Sequence, residues 1–248
     1  MHNFHFRERE KYMSIFVIGD LHLSFNENKP MNIFGDNWEN HENKIKENWL
    51  KDVRENDVVI LPGDFSWSMY LKDTFKDFKY LNELPGKKIL LKGNHDYWWT
   101  TITSMKKYLK EMNFQNIDFL YNNYYEFEDN IIVGTRGWNI NDDAENKKMI
   151  KREAQRLELS IQKAKENIYL ENKNIMAFMH YPPIASHNIV HNELNDFIRI
   201  LKKYNIKKCY YGHLHGISIR EAIEGSYFGI DFKLVSADAL NFKLMRVE

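Results

Sequence analysis

Short runs of apolar and β-branched residues recur along the chain at the length of β-strands. Near-continuous apolar runs of this kind are typical of strands that are covered on both faces. The predicted strands are residues 14–19, 58–62, 88–92, 131–135, 175–179, 208–211, 226–230, 232–236 and 242–247. Strands alternate with helices early in the chain and dominate its C-terminal part. This order predicts an α/β domain in which two packed sheets are flanked by helices.

Apolar residues spaced by three and four positions predict amphipathic helices between several of these strands. The predicted helical segments are 42–54, 71–84, 102–112, 143–170 and 194–201. Gly and Pro are scarce, at 11 and 5 residues, and no linker-like stretch interrupts the pattern. We therefore expect a single domain over residues 13–248, with a possible cap element at 143–170. Residues 1–12 are either a native N-terminal extension or precede an alternative start at Met13.

The charges of the chain cancel, with 35 Lys and Arg residues against 35 Asp and Glu residues. A chain without net positive charge lacks the field that attracts duplex nucleic acid or an anionic membrane, so neither is an expected partner. The single cysteine, Cys209, permits no internal disulfide, and the charged N-terminus does not resemble a signal peptide. We expect a cytoplasmic protein, and the sequence leaves its oligomeric state open.

Acidic, amide and imidazole side chains directly follow five of the predicted strands. The five loops carry Asp20 and His22, then Asp64, then Asn94, His95 and Asp96, then His180, and finally His213 and His215. Ligand sites of α/β sheets gather beyond the carboxyl ends of the strands, so these loops are expected to converge. A single Asp after a strand is usually a turn or capping residue. Five such loops together favour a functional site.

A mixed set of carboxylates, an amide and imidazoles suits borderline divalent metals, namely manganese, iron, zinc, cobalt or nickel. It lacks the thiolates of a structural zinc site and the all-oxygen shell of calcium or magnesium. Without His95 and Asp96, the loops contain seven potential ligands. A single ion that keeps coordination positions open for water or substrate would not use so many. Two divalent ions bridged by one carboxylate match the number better, and manganese is the preferred metal.

In their order, these loops resemble the signature of the calcineurin-like metallophosphoesterase superfamily. The matching residues are Asp20-Leu21-His22, Gly63-Asp64, Gly93-Asn94-His95-Asp96, His180 and Gly212-His213-Leu214-His215. The resemblance spans residues 19–215 and implies a four-layered α/β/β/α sandwich of two mixed β-sheets. It also implies a binuclear metal-dependent phosphohydrolase, which cleaves a phosphomonoester or phosphodiester by attack of a metal-bridging hydroxide.

The resemblance also implies a role for each matching residue. One metal would be held by Asp20, His22 and His215, and the second by Asn94, His180 and His213, with Asp64 bridging both. His95 would protonate the leaving alkoxide as general acid, and Asp96 is a candidate to orient it. Residues 65–69 depart from the Gly-Asp-x-x-Asp-Arg-Gly pattern of the phosphoprotein phosphatases. The chain is therefore more similar to the bacterial phosphohydrolases and phosphodiesterases.

Arg136, in the stretch Gly134-Thr135-Arg136-Gly137, is the candidate for binding substrate phosphate, because a guanidinium group binds phosphate through paired hydrogen bonds. The expected partner is a small phosphorylated substrate. One alternative is a nuclease or nucleotide phosphodiesterase that acts on short single strands. Another, from a different class, is a non-catalytic metal-bound scaffold of the same fold. The complete set of candidate ligands together with His95 favours the enzyme.

Overall fold

The computed structural model describes residues 13–27, 29–140, 144–167 and 173–247. The strands are β1 (Ile15–Val17), β2 (Val58–Pro62), β3 (Lys87–Leu91), β4 (Ile117–Phe119), β5 (Tyr125–Phe127), β6 (Asn130–Thr135), β7 (Asn174–Met179), β8 (Lys208–Tyr211), β9 (Gly225–Tyr227), β10 (Ile230–Leu234) and β11 (Met245–Arg246). The α-helices are α1 (His41–Asp52), α2 (Phe75–Glu83), α3 (Ile102–Glu111), α4 (Ala144–Lys165), α5 (Ser186–Val190) and α6 (Asp196–Lys203). No helix in the described ranges is long and apolar enough to cross a bilayer.

The described strands form two mixed sheets. The first has the order β11-β1-β2-β3-β4, in which only β11 is antiparallel to its neighbour. The second has the order β5-β6-β7-β8-β10-β9, in which the edge strands β5 and β9 are antiparallel. The two sheets touch where β1 and β10 end, because Gly19 N donates to Val235 O at 2.7 Å. The carboxyl ends of the central strands of both sheets therefore face one region.

Apolar side chains fill the space between the two sheets and the spaces between each sheet and the helices on its outer face. Ile15 and Val17 of β1 pack against residues of the second sheet such as Phe178. The alternate residues Phe16 and Ile18 pack on the other face, against the helices beside the first sheet. A separate core joins the second sheet to α4 and α6. The predicted four-layered α/β/β/α sandwich is thereby confirmed, and the doubly covered strands explain the unbroken apolar runs.

Several element boundaries differ from the prediction. β4 and β5 are three residues each, and no apolar run of strand length marked them. The predicted strand at 242–247 is limited to Met245–Arg246, because Asn241 and Phe242 adopt positive φ angles in a turn. The predicted strands at 226–230 and 232–236 are β9 and β10, which end two residues or more before the predicted ends.

The predicted cap segment is mostly helix α4. Its buried residues Leu157, Ile161 and Ala164 pack in the core beneath the second sheet, so this face of α4 belongs to the outer layer of the fold. Residue 143 and residues 168–170 of the segment lie outside the described residues, as do residues 1–12. A capping role for α4 stays a prediction.

Lys88 lies on β3 of the first sheet, and its side chain is fully buried. Its ammonium group donates hydrogen bonds to the carbonyl oxygens of Leu84 and Gly86. Burial lowers the pKa of Lys88 from 10.5 to about 7, and the charge of Glu55 offsets only part of this effect. Between these two values the unfolded chain binds more protons than the folded chain. Stability is therefore expected to rise with pH across this window.

We predict that Lys88→Met flattens this rise, by up to about 1.4 kcal/mol per pH unit. The measurement is the free energy of unfolding in urea at pH 7, 8, 9 and 10. Lys87→Met changes the exposed neighbour on the same strand and should keep the wild-type slope. Equal slopes for Lys88→Met and the wild type would contradict the assignment.

Candidate metal centre

The seven predicted metal ligands converge beyond the carboxyl ends of the strands, as the sequence predicted. Asp20 and His22 follow β1, Asp64 follows β2, Asn94 follows β3, His180 follows β7, and His213 and His215 follow β8. Asp20, His22, Asp64 and His180 are buried, and the others are partly buried. Two overlapping sets of three residues have ligand atoms within 4.8 Å of one another, namely Asp20 with His22 and His215, and Asp20 with Asp64 and His180. With the contacts of Asn94 included, the first ligand group is Asp20, His22 and His215, and the second is Asn94, His180 and His213.

The first group is centred on two imidazole nitrogens. Nε2 of His22 and Nε2 of His215 lie 3.2 Å apart. Oδ1 of Asp20 lies 3.3 Å from Nε2 of His215. Ligand atoms bound about 2.1 Å from one ion at roughly tetrahedral to octahedral angles are themselves about 3.0–3.4 Å apart. These separations match that spacing.

The second group is centred on the amide of Asn94. Its Oδ1 lies 2.6 Å from Nε2 of His180 and 2.9 Å from Nδ1 of His213. This group was predicted from the order of the motifs, although His213 and Asn94 are 119 residues apart in the chain. The structure brings both together because the ends of β3 and β8 face the same cleft.

The carboxylate of Asp64 lies between the two groups. Its Oδ2 is 3.7 Å from Nε2 of His22, and its Oδ1 is 3.6 Å from Nε2 of His180. Each oxygen therefore faces a different group. A carboxylate in this position could bridge two ions.

Two acceptors outside the ligand set fix the orientation of the imidazole rings. Nδ1 of His180 is 3.1 Å from the carbonyl oxygen of Pro62, and Nδ1 of His215 is 3.0 Å from Oδ1 of Asp238. A proton held on Nδ1 leaves the Nε2 lone pair directed into the cluster, which is the arrangement of metal-binding histidines. The sequence analysis missed Asp238. Its position four residues after Leu234, the end of β10, is the same signal that identified the other loops.

Four of the seven candidate ligands adopt positive φ angles. The values are 58° for Asp20, 47° for His22, 51° for Asp64 and 75° for His213. A residue with a Cβ in this region costs about 1–2 kcal/mol, and such outliers cluster at functional sites. Backbone bonds hold the strained turns in place, since Asp20 N donates to Gly63 O at 2.9 Å and His22 N donates to Asp64 O at 3.0 Å.

The loops also approach so closely that two positions exclude any side chain. A Cβ on Gly93 would lie 2.1 Å from Oδ1 of Asp64, and a Cβ on Gly212 would lie 2.2 Å from Oδ2 of Asp20. Both distances are far inside van der Waals contact. Glycine at these two motif positions lets the carboxylates lie against the neighbouring backbone.

Asp96 does not have the place that the sequence analysis gave it. Its carboxylate accepts hydrogen bonds from the backbone N–H groups of residues 64, 65, 66 and 93 and from the indole of Trp98, at 2.7–3.3 Å. Within the described residues it makes no hydrogen bond to His95. The expectation that Asp96 orients His95 is therefore wrong. Both oxygens of the Asp96 carboxylate bind N–H groups of the turns or of Trp98 and not the His95 ring. Asp96 therefore organises the turns that carry Asp64 and Asn94.

Burial and mutual charge shape the protonation of the cluster. Burial, reinforced by the charge of Asp20, raises the pKa of Asp64 to about 8. Burial alone would raise the pKa of Asp20, but the charge and hydrogen bond of His215 hold it well below its ordinary value. Burial and the neighbouring His180 lower the pKa of His213 to about 3. Burial alone would lower the pKa of His215, but the charges and hydrogen bonds of Asp20 and Asp238 raise it to about 10. Without metal, the cluster therefore favours an Asp20–His215 ion pair and a protonated Asp64.

The residues present are suited to divalent metal. The lone pairs of the imidazoles and the carboxylates converge, and burial beside Asp20 disfavours the charged form of Asp64. A cation between these groups would offset both effects. The mixture of nitrogen and oxygen donors is the set expected for a borderline divalent ion.

His95 lies at the open side of this cluster. Its backbone N–H donates to Oδ1 of Asp64 at 2.8 Å, which fixes the residue next to the shared carboxylate. The ring packs against Trp67 at a centroid distance of 4.4 Å, and Trp67 also stacks on His22 at 4.9 Å. Burial, followed by the charge of His180, lowers the pKa of His95.

Arg136 lies beside the cluster and outside it. Its carbonyl oxygen accepts hydrogen bonds from His180 N at 3.2 Å and Tyr181 N at 2.9 Å. Its guanidinium group lies over the ring of Trp138 at 4.4 Å and lines a separate cavity. The structure thus brings Arg136 to the neighbourhood of the candidate ligands, with its side chain directed into that adjoining space.

The fold and the site together define a metallophosphoesterase-type protein. The family model described as calcineurin-like phosphoesterase matches residues 13–216, so the chain belongs to this family. Among solved structures, phosphopantetheinyl hydrolase from Mycobacterium tuberculosis is similar, with 16% identity, a TM-score of 0.53 and coverage of 95% of this chain and 96% of that one. The protein TT1561 from Thermus thermophilus has 11% identity, a TM-score of 0.54 and coverage of 96% and 99%. These likenesses show the fold, and no curated protein matches the chain.

We predict that Asp238→Asn weakens manganese binding about tenfold, because the Nδ1 proton of His215 loses its anionic acceptor. The measurement is calorimetric titration of manganese into the chelator-treated protein. Asp196→Asn, at an exposed carboxylate in the first turn of α6, should bind manganese as the wild type does. Unchanged affinity in Asp238→Asn would show that Asp238 does not support His215.

We predict that Asp96→Asn lowers the free energy of unfolding by about 3 kcal/mol, since the amide group turns a donor toward buried N–H groups. The measurement is urea unfolding with metal present. A variant that is as stable as the wild type but inactive would instead indicate a direct chemical role for Asp96.

Proposed function

We propose that the protein is a metal-dependent phosphohydrolase that cleaves a phosphomonoester or phosphodiester bond with two divalent ions, manganese being the preferred metal. The observation that carries the proposal is the place of Asp64, whose two oxygens face two different groups of ligands. A site for one ion would need no shared carboxylate. Membership of the calcineurin-like phosphoesterase family supports hydrolysis of a phosphate ester as the reaction.

In this proposal Asp20, His22 and His215 hold one ion, and Asn94, His180 and His213 hold the other. The distances within each group support this division, because the closest contacts join His22 to His215 and join Asn94 to both His180 and His213. When bound, the two ions would supply Lewis acidity that activates water and neutralises charge on the phosphoryl oxygens.

His95 is proposed as the general acid. A leaving alkoxide needs a proton, and an imidazole held beside the site where phosphate binds can supply it to the leaving oxygen. The backbone bond to Asp64 and the packing against Trp67 support this role, because they place the ring at the edge of the cluster and restrict its motion.

We predict that His95→Ala lowers turnover of an aryl phosphate and an aryl phosphodiester by about 10²–10⁴-fold, while both metals stay bound. The measurements are hydrolysis in the presence of manganese and the metal content of the purified variant. His187→Ala, at an exposed imidazole on α5, is the matched control and should retain wild-type turnover.

Three results separate the alternatives. Loss of metal from His95→Ala would make His95 a ligand and not an acid. Absence of turnover of either ester by the metal-loaded wild type would favour the non-catalytic scaffold. Cleavage of short single-stranded oligonucleotides in preference to both aryl esters would favour the nuclease.

A further inference from the structure

A cavity of about 480 Å³ adjoins the candidate metal centre and is lined by residues after β3 and β4, at the end of β6 and on α4. Its charged lining residues are Lys92, Arg136, Arg152, Glu153 and Arg156. Four cationic side chains thus surround a single carboxylate. None of the seven candidate metal ligands lines this space. The chain as a whole is neutral, so this excess of positive charge is local.

The carboxylate of Glu153 forms ion pairs with two of the four cations, Arg152 and Arg156. Glu153 is 3% exposed, and its Oε2 accepts a hydrogen bond from Oγ1 of Thr135 at 2.6 Å. Its Oε1 lies 3.4 Å from Nε of Arg156 and 3.7 Å from Nη2 of Arg152. The guanidinium of Arg156 also lies over the ring of Tyr121 at 4.6 Å. Arg156 is therefore positioned before any ligand arrives.

The other two cations form no direct ion pair with a described carboxylate, although the charge of Glu153 acts on both of them and that of Asp96 acts on Lys92. The guanidinium of Arg136 lies over Trp138 at 4.4 Å, and neither it nor the ammonium of Lys92 forms an ion pair with a described carboxylate. Both side chains are partly buried. Partly buried cations whose charge is only partly offset by neighbouring carboxylates are stabilised further when an anion binds between them. A phosphate group carries two negative charges and matches the geometry of guanidinium groups.

The cavity and the candidate metal centre share backbone. Lys92 directly precedes Gly93 and Asn94, and the carbonyl of Arg136 accepts the hydrogen bond of His180 N. The cavity therefore flanks the side of the centre formed by Asn94 and His180. To use both sites, a ligand held at the centre by one phosphoryl group has to extend a second anionic group into this space.

We propose that the cavity binds a second phosphoryl group of the substrate, so that the preferred substrate is a small molecule carrying two phosphoryl groups. This inference rests on the proposed function, because it names the substrate class of the same site. The volume exceeds that of one phosphate group, and Trp99 and Leu120 supply apolar wall for part of the substrate body.

The test compares bisphosphates of linear diols, from two to six carbons, with the monophosphates of the same diols. In the metal-loaded wild type, kcat/KM for the bisphosphate is expected to exceed that for the monophosphate by about tenfold or more at one chain length, mainly through KM. In Arg136→Gln this ratio should fall about tenfold. Arg152→Gln changes a half-exposed side chain and should lower the ratio by a smaller factor. This variant provides the test if Arg136→Gln is unstable.

Arg199→Gln is the matched control. Arg199 is an exposed arginine on α6 paired with Asp196 at 3.3 Å, and its variant should retain the wild-type ratio. Equal kcat/KM for bisphosphate and monophosphate at every chain length would overturn the inference. A preference that is unchanged in both cavity variants would overturn it as well. Because each ratio is internal to one variant, partial loss of active protein does not affect it.

A second measurement separates failure of this inference from failure of the proposed function. If the diol phosphates, the aryl phosphate and the aryl phosphodiester are all left unhydrolysed, the proposed function fails, and the cavity is tested by binding alone. Calorimetry with linear alkane bisphosphonates and matching monophosphonates on the metal-loaded protein should show tighter binding of the bisphosphonate, lost in Arg136→Gln. Equal affinities would overturn the inference without reference to turnover.

Discussion

The carboxylate of Asp96 lies where β2 and β3 end and accepts hydrogen bonds from the turns that follow both strands. Bonds from N–H groups to an ionised acceptor are about twice as strong as neutral ones, so the two turns are held as one unit. That unit carries Asp64, Asn94 and His95. The turn after β1 joins it through bonds to the backbone of Gly63 and Asp64. The spacing of the candidate centre therefore depends on a residue that does not belong to it.

The layers of the sandwich stabilise a centre that is unfavourable in isolation. Positive φ angles and the burial of the Asp64 carboxylate beside Asp20 each lower the stability of the folded chain. The apolar cores on both faces of each sheet offset these terms, and a bound cation would reduce the electrostatic part. The same arrangement explains why the centre sits at strand ends. There the backbone can leave regular geometry without breaking the sheet.

The fold was predictable where the sequence carries a strong local signal. The apolar run of β1 predicted a strand covered on both faces. The structure agrees, since Phe16 and Val17 pack into different cores. β4 and β5 are three residues each, and β5 is an edge strand whose side chains are partly exposed, so neither leaves a periodic pattern. The C-terminal strand was predicted too long, since backbone φ at Phe242 depends on contacts that the local sequence does not encode.

The sequence by itself determined the layered fold and the residues that converge, because strand periodicity and the motif order of the strand-end loops are local properties. Tertiary structure alone decided the contacts between remote residues. In the tertiary structure Asp96 accepts hydrogen bonds from the turns instead of from His95, and Asp238 accepts a hydrogen bond from the ring of His215. It also brought Lys92 of one sheet and Arg156 of a helix beneath the other into one cavity. Such contacts depend on how the two sheets and their helices pack, and no spacing along the chain specifies that packing.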